Sequence, residues 1–421
     1  MNIKSLLIGS AAALVAVTGA RAADAVMAPE PEPVEYVRVC DAYGAGFFYI
    51  PGTETCLQIS GYVWYQIAAN SFDPIFTNSE ALPNANNDLY GVDTLPGAGG
   101  TAGEGWYKSV RARVNFDARS ETEWGTLKSY IRFQASWNGV GDGAVSADQA
   151  YISLGGLVMG YTESFWANSM NGGASNWGSH SWSGLYYGYQ QRALIGYRFE
   201  SNGFFGAISL EDDALAGEGY LPDVVAKIGY TGGWGTIWAK VAYDESFDGT
   251  GYAIYHGLDT FGINDGGFAA SLGAQFNVPN MPGSNLRLIG YYADGAHAFN
   301  VGSPSNLAIS APPGPAVGPY SLFGGSEWSI LASYNHQFSE TLGASVGVQY
   351  FNDLYYAGSD VLSGADAWAA ELSVVWFPVS QFEVRGELRY DDVGNIPSFA
   401  GSREFDPDGT VSGYLRFTRY F

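Results

Sequence analysis

The side chains able to do chemistry are few in this chain and widely spaced. No pair of its histidines has the H-E-x-x-H spacing that a zinc hydrolase needs. The four histidines are His180, His256, His297 and His336. The glycine-rich stretch 97–100 does not lie between a strand and a helix, as a phosphate-binding loop would. We therefore predict that the protein is not an enzyme and holds neither a cofactor nor a resident metal ion.

Cys40 and Cys56 are the two cysteines of the chain. The stretch 44–53 between them has the pattern of a strand that ends in a Pro51-Gly52 turn, after which a second strand begins. Such a hairpin brings the two sulfurs together, and a disulfide over a loop of this length contributes about 3 kcal/mol. A zinc site is the weaker alternative, because no histidine lies near either cysteine. We predict the disulfide.

Arginine and lysine recur at alternate positions of several segments. In the segment 108–118, Arg111 and Arg113 share one face with Asn115 and Asp117, whereas the residues between them are apolar or small. This period of two is typical of a strand with one polar and one apolar face. The basic residues on such polar faces are Arg111, Arg113, Lys128, Arg132, Arg192, Arg198, Arg385 and Arg389.

The same alternation extends along the chain from Cys56 onward. It predicts about sixteen strands of roughly ten residues, about twice the usual strand length of a soluble β-sandwich. Short connections alternate with long ones, as in bacterial outer-membrane barrels. Aromatic residues make up 15% of the chain and charged residues 14%, and no stretch approaches the ~20 apolar residues of a membrane helix. The sequence therefore predicts an all-β, 16-stranded antiparallel transmembrane β-barrel.

A barrel in lipid must close, because every backbone polar group needs a partner there. About sixteen strands enclose an aqueous lumen, so the eight basic residues named above are predicted to line a pore. Two interpretations stay open. The basic residues form a free wall, or they are neutralised in a lattice of salt bridges by Asp117, Glu383 and Glu387.

An aromatic girdle at the strand ends is predicted from Trp124, Trp137, Trp234, Trp376 and Tyr420.

The N-terminus predicts export. Residues 1–22 have a basic start, an apolar core and a final Ala20-Arg21-Ala22 cleavage site, as in a signal peptide. We expect 23–54 to be a periplasmic segment that contains the hairpin, and 55–421 to be the barrel in the outer membrane. The net charge of -23 argues against a nucleic-acid partner, which would select a basic face.

Five segments resemble the porins of alphaproteobacteria, of the Rhizobiales (Brucella-like) type. They are Val37–Gly44, Gly46–Thr53, Cys56-Leu57, Gly61–Val63 and the C-terminal Tyr414–Phe421. The resemblance implies a homotrimer of 16-stranded barrels in contact with outer-membrane lipid and lipopolysaccharide. Each barrel would be a channel for passive diffusion of small hydrophilic solutes, narrowed by a third long loop folded into the lumen.

The third long loop departs from the pattern of many such porins. Residues 162–187 contain only Glu163 and His180 as titratable groups, whereas several carboxylates are usual. We predict that Glu163 lines the pore, and that Asp142, Asp148 or the first loop supplies the other acids that face the arginines. In the first loop these acids are Asp73, Asp88 and Asp93.

The function that the sequence favours is an outer-membrane porin. The alternative is a barrel that acts as a surface adhesin or ligand receptor, for which the Pro-rich loop 293–325 is long enough. Because the net charge is negative, acidic residues at the pore mouth concentrate cations, so we expect a weak cation preference.

Overall fold

The computed structural model contains a closed barrel of sixteen antiparallel strands. The residues it describes are 38–71, 104–139, 142–167, 179–180, 184–212, 221–245, 266–304, 308–309, 320–321, 323–356, 359–395 and 409–421. The strands are β1 (Cys56–Ser71), β2 (Glu104–Thr122), β3 (Gly125–Trp137), β4 (Val145–Leu154), β5 (Leu157–Glu163), β6 (Gln191–Ser201), β7 (Phe204–Asp212), β8 (Asp223–Gly232), β9 (Gly235–Asp244), β10 (Gly267–Asn277), β11 (Asn285–Ala293), β12 (Phe323–Ser339), β13 (Leu342–Tyr356), β14 (Asp366–Val379), β15 (Phe382–Gly394) and β16 (Thr410–Tyr420). The predicted number and type of strands are confirmed.

Each strand pairs with its neighbours in the sequence, and β16 pairs with β1 to close the sheet. In that closing pair, Arg416 lies opposite Gln66. Short pairs Ala308–Ile309 and Tyr320–Ser321 form a separate two-stranded sheet. Among the described residues no helix is long and apolar enough to cross a membrane. The predicted signal peptide lies outside the described residues.

The two faces of the strands differ as the alternation predicts. On β6, the side chains of Ile195, Tyr197 and Phe199 are about half exposed on the outer face, whereas Arg192 and Leu194, on the alternate positions, are buried inside. Large exposed apolar side chains recur on the outer face of the other strands. An apolar band of this kind is what lipid requires of a membrane barrel.

Turns sort by length as predicted, with tight turns on one rim and longer connections on the other. In the turn between β6 and β7, Asn202 and Gly203 have φ of 52° and 82°. An Asn-Gly pair favours this left-handed geometry, which matches the twist of the flanking strands. We call this edge the short-turn rim and the opposite edge the long-loop rim.

The N-terminal hairpin is also as predicted. The short strand Phe48–Tyr49 pairs with the start of β1, so that Tyr49 lies opposite Cys56. Cys40 and Cys56 form a disulfide with a Cα–Cα distance of 5.9 Å, and both are buried beside Phe47. The predicted disulfide is confirmed.

The predicted aromatic girdle needs one correction. Trp124, Trp137, Trp234 and Trp376 are exposed on the outside near the strand ends. Tyr420 instead turns inward: its hydroxyl donates a hydrogen bond to Glu383 Oε2 at 3.0 Å, and its ring meets Tyr62 edge-on. The prediction for Tyr420 was wrong because Tyr420 has the inward parity of Arg416 and Thr418.

Candidate functional site

The inward face of β15, β16 and β1–β4, here called the open wall, carries most of the predicted pore residues. Arg111 is half-buried, donates from Nε to Ser136 Oγ at 3.2 Å, and lies 5.3 Å from the centre of the Trp64 ring. Arg113 donates twice to Gln134 Oε1, at 3.1 and 2.5 Å. Both guanidinium groups donate to neutral side chains, and Arg111 has no carboxylate partner among the described residues.

Four other predicted residues of the open wall pair with carboxylates. Lys128 Nζ lies 2.9 Å from Asp117 Oδ2, Arg385 Nη2 lies 3.0 Å from Glu383 Oε1, and Arg389 Nε lies 2.8 Å from Asp391 Oδ2. Arg132 bonds Asp148 through Nε, and its Nη1 lies 3.8 Å from Glu163 Oε1. Asp148 is also 3.7 Å from Arg113 Nη2.

The wall is therefore mixed, and both interpretations left open by the sequence apply to part of it. Asp117 and Glu383 neutralise basic neighbours as the salt-bridge interpretation predicts. Among the described residues, Arg111 has no carboxylate within ion-pair distance. Asp142, predicted to face the arginines, instead accepts bonds from the backbone N–H groups of Asn138 and Gly139. Asp73, Asp88 and Asp93 lie outside the described residues.

Sequence reasoning missed Arg416 as a residue of this wall. Arg416 on β16 donates from Nε and Nη2 to Gln66 Oε1, at 2.8 and 2.6 Å, and lies 4.9 Å from the Trp64 ring centre. It stands beside Arg111 on the far side of the same tryptophan, and in the described part of the chain it has no carboxylate partner. The sequence could have revealed this residue, because Arg416 is two positions from both Tyr414 and Thr418 and therefore shares their inward face of the strand.

The other side of the interior is filled by protein. We call the inward face of β6–β14, together with the segments 164–167, 184–190 and 296–304, the packed side. Its core includes Trp166 and Phe299, whose rings meet edge-on with centres 6.1 Å apart, and both are fully buried. Lys240, 2% exposed, donates from Nζ to the Trp166 carbonyl at 2.7 Å.

Two of the predicted pore residues lie on β6, at the edge of this side. Arg192 is buried, with Nη2 3.2 Å from Asp223 Oδ2 and its guanidinium 4.9 Å from the centre of the Phe299 ring. Arg198 is half-buried near the short-turn rim. The structure thus places Arg111, Arg113, Lys128 and Arg132 along two adjacent strands, β2 and β3, and Arg192 on β6.

Described parts of the third loop contact strands that are not its neighbours. At its start, the Phe165 N–H donates to Glu211 Oε1 on β7 at 2.9 Å. Further along, the Leu185 N–H donates to Glu371 Oε2 on β14 at 3.0 Å, and the Tyr186 N–H to Gln349 Oε1 on β13 at 3.0 Å. These inward-facing side-chain oxygens accept hydrogen bonds from loop N–H groups that would otherwise need water.

A second inner contact is made by the segment after β11. The Ala298 N–H donates to Asp244 Oδ2 at 3.0 Å, and the Phe299 N–H to His297 Nδ1 at 3.2 Å. Burial lowers the pKa of His297, against the opposing effect of Asp244 and Asp294. His297 is therefore a neutral hydrogen-bonding group near neutral pH, not a cation.

One cluster could hold a metal ion. His180 Nε2 lies 3.3 Å from Glu371 Oε1 and 3.5 Å from Glu387 Oε2. Glu387 was predicted to neutralise arginine. The structure instead places it between His180 and the Tyr414 hydroxyl, which donates to Glu387 Oε2 at 2.8 Å.

Comparison with known proteins agrees with this architecture. The model of the porin subfamily matches residues 24–413. Porin Omp2a of Brucella ovis is 42% identical over 279 residues, which is 58% of this chain and 71% of that protein. The outer membrane channel DcaP of Acinetobacter baumannii has a TM-score of 0.58 at 12% identity, over 89% of this chain and 99% of that one. A trimer form of OmpT of Vibrio cholerae has a TM-score of 0.50 at 10% identity, over 88% and 100% of the two chains.

The family match extends from the N-terminal hairpin to the last strand, and the resemblance to Brucella-like porins is confirmed. A channel through the outer membrane requires a closed barrel with an apolar outer band and a charged inner wall, and this chain forms such a barrel. The chain belongs to the porin subfamily and is an outer-membrane porin channel.

Proposed function

We propose that small hydrophilic solutes and ions cross this barrel by passive diffusion along the open wall. The observation that carries the proposal is the contrast in burial inside the barrel. Arg111, Arg113 and Lys128 are half-buried, whereas Lys240 on the packed side is 2% exposed. Partly exposed charged side chains inside a barrel need water, so the passage follows them.

The third loop narrows this passage in our proposal. Its described residues contact β7 and β9 near 165–166 and β13 and β14 near 185–186, so its two ends lie against separated parts of the wall. Residues 168–178 and 181–183 lie outside the described residues. A loop held at both ends in this way supports a path across the interior, with Glu163 and Arg132 beside its start.

The proposed assembly is a homotrimer in the outer membrane, reached after removal of residues 1–22. The apolar outer face supports contacts with neighbouring subunits, lipid and lipopolysaccharide, because such a band cannot remain in water. The trimer form of OmpT, which shares the fold, also supports this assembly. We expect unboiled protein to migrate on gels as a large heat-sensitive species, and boiled protein to migrate as the single chain.

Planar-bilayer recording tests the proposed activity. We expect steady single-channel steps that scale with salt concentration, and liposome swelling with small sugars that falls as the sugar becomes larger. A matched control is the same detergent eluate from cells that lack the protein. Insertion into bilayers without conductance would contradict the channel and would favour the adhesin or receptor alternative.

A further inference from the structure

Three metal-ligating side chains meet where the third loop touches β14 of the packed side and β15 of the open wall. His180 comes from the loop, Glu371 from β14 and Glu387 from β15. One ligand atom of each lies within 4.8 Å of the other two. His180 and Glu371 are each 3% exposed, and Glu387 is half-buried. The cluster is therefore largely withdrawn from bulk water.

The spacing of the ligand atoms fits a small tetrahedral cation. Zinc bonds of about 2.0–2.1 Å to imidazole nitrogen and carboxylate oxygen place neighbouring ligand atoms about 3.3–3.4 Å apart in a tetrahedron. The two distances from His180 Nε2 are 3.3 Å to Glu371 and 3.5 Å to Glu387. The two carboxylate oxygens lie within 4.8 Å of each other, so a cation can sit between the three atoms.

Surrounding groups hold both carboxylates toward the centre. Glu371 accepts a hydrogen bond from Ser179 Oγ at 2.7 Å and from the Leu185 N–H at 3.0 Å. Glu387 accepts from the Tyr414 hydroxyl at 2.8 Å. Such outer partners orient the ligands of protein metal sites and commonly change affinity 10–100-fold when removed.

The backbone near the cluster leaves room for the loop to sit this deeply. Gly184 has φ of +87°, a left-handed conformation that favours glycine, and a Cβ there would collide with Ser179 Oγ. Gly347 on β13 faces the same serine, and a Cβ there would come within 2.5 Å of Ser179 Cβ. Larger residues at either position would displace His180 from the two carboxylates.

The charges around the cluster include two arginines. Two carboxylates meet one imidazole, Arg389 lies opposite Glu371 in the sheet, and the charge of Arg385 acts on Glu387. What favours a metal ion is therefore the geometry of three withdrawn ligand atoms, not an excess of negative charge. Nitrogen and oxygen ligands together suit zinc and similar transition metals better than magnesium or calcium.

We propose that His180, Glu371 and Glu387 form a site for a divalent transition-metal ion of the zinc class, which fastens the third loop to the barrel wall. Water supplies the fourth ligand. Metal binding is measured on the folded protein without any current, so its outcome does not depend on the proposed diffusion function.

The direct test is Zn²⁺ binding to the folded, detergent-solubilised full chain, stripped with EDTA and titrated against a chromophoric chelator. We expect one tight Zn²⁺ per chain. His180→Gln and Glu387→Gln should each weaken binding at least about tenfold. His336→Gln is the matched control, since His336 lies beside Tyr334 on β12, 2.7 Å from its hydroxyl, and should leave binding unchanged. Heat-sensitive gel migration shows that each variant is folded.

X-ray absorption spectroscopy at the zinc edge, on the unaltered protein, gives a second readout that needs no variant. We expect one imidazole nitrogen among nitrogen and oxygen ligands and no sulfur. Absence of tight Zn²⁺, affinity equal in His180→Gln and the unaltered protein, or a signal from two imidazoles would each overturn the proposal.

Discussion

Arg111 and Lys240 both point into the barrel from the middle of long strands, yet their surroundings differ. Arg111 is half-buried, bonds a serine and stacks on Trp64. Lys240 is 2% exposed, bonds the Trp166 carbonyl, and has the rings of Trp166 and Tyr291 within 4.1 and 5.4 Å. The difference lies in what covers each residue: the segment 164–167 packs on Lys240, whereas Arg111, Arg113 and Lys128 on the open wall stay partly exposed.

The polarity of an inward face does not set its exposure. The segments 164–167 and 296–304 pack with inward Phe205, Ile289 and Leu331 in one apolar core. On the open wall, Arg111, Arg113 and Lys128 keep polar or aromatic neighbours and partial contact with water. This division between the packed side and the open wall predicts measurable differences.

The largest effect is expected from Trp166→Ala. Trp166 is fully buried between Lys240 and Phe299, so its removal leaves a large cavity and destabilises the barrel by roughly 3–5 kcal/mol. Guanidinium unfolding of the folded protein in detergent measures the loss. Trp124→Ala, at a turn residue that is 74% exposed, is the control and should change stability by less than about 0.5 kcal/mol. Equal losses would contradict a packed interior.

Reducing the Cys40–Cys56 disulfide should cost about 3 kcal/mol, because the bond closes a loop with a sequence separation of 16. The hairpin borders the open wall, where Arg119 lies 5.0 Å from the Phe47 ring centre and Gln58 donates to the Ala45 carbonyl at 3.1 Å. Hydrogen exchange after reduction should therefore rise in β1 and β2 more than in β7–β9. A double Cys-to-Ser variant should not respond to reductant, and faster exchange on the packed side would refute the division.

Arg111→Ser should increase the preference for cations. Removing one unpaired positive charge beside the ion path lowers the energy of a passing cation by a few tenths of a kcal/mol after screening. The cation-to-anion permeability ratio should therefore rise about 1.5–2-fold. Zero-current potentials in a salt gradient measure this ratio. The charge-neutral double variant Arg389→Ser with Asp391→Ser is the control, since it removes a pair. An unchanged potential for Arg111→Ser would mean that Arg111 does not face the ion path.

The smallest effect concerns pH on the packed side. Burial holds the pKa of His297 below its ordinary value of about 6.5. At pH values above about 6.5 the neutral side chain therefore makes its full contribution to the stability of the fold. This contribution is lost as the pH falls through the lowered pKa, because protonation removes the Nδ1 acceptor used by the Phe299 N–H. Unfolding between pH 8 and pH 5 should show a smaller loss in His297→Gln than in the unaltered protein. A His336→Gln variant should behave like the unaltered protein, and identical slopes for all three would contradict the assignment.

The barrel was predictable because each strand carries its own pattern. Arg111 and Arg113 alternate with apolar neighbours, and Asn202-Gly203 specifies a tight turn, without reference to distant residues. The Cys40–Cys56 disulfide was predictable for the same reason, since its hairpin is local. Arg416 could have been found by parity, and Tyr420 was wrongly placed because its position at a strand end was given more weight than its parity.

By itself, the sequence determined the number and faces of the strands, the disulfide and the inward side of the basic residues. These features depend on neighbours two positions apart or on one short hairpin. Only the tertiary structure decided which inward residues are covered, that Arg192 lies under Phe299, and that His180 reaches Glu371 and Glu387. The physical reason is that a loop's course through the interior depends on packing against strands far away in the sequence, and strand alternation carries no information about that course.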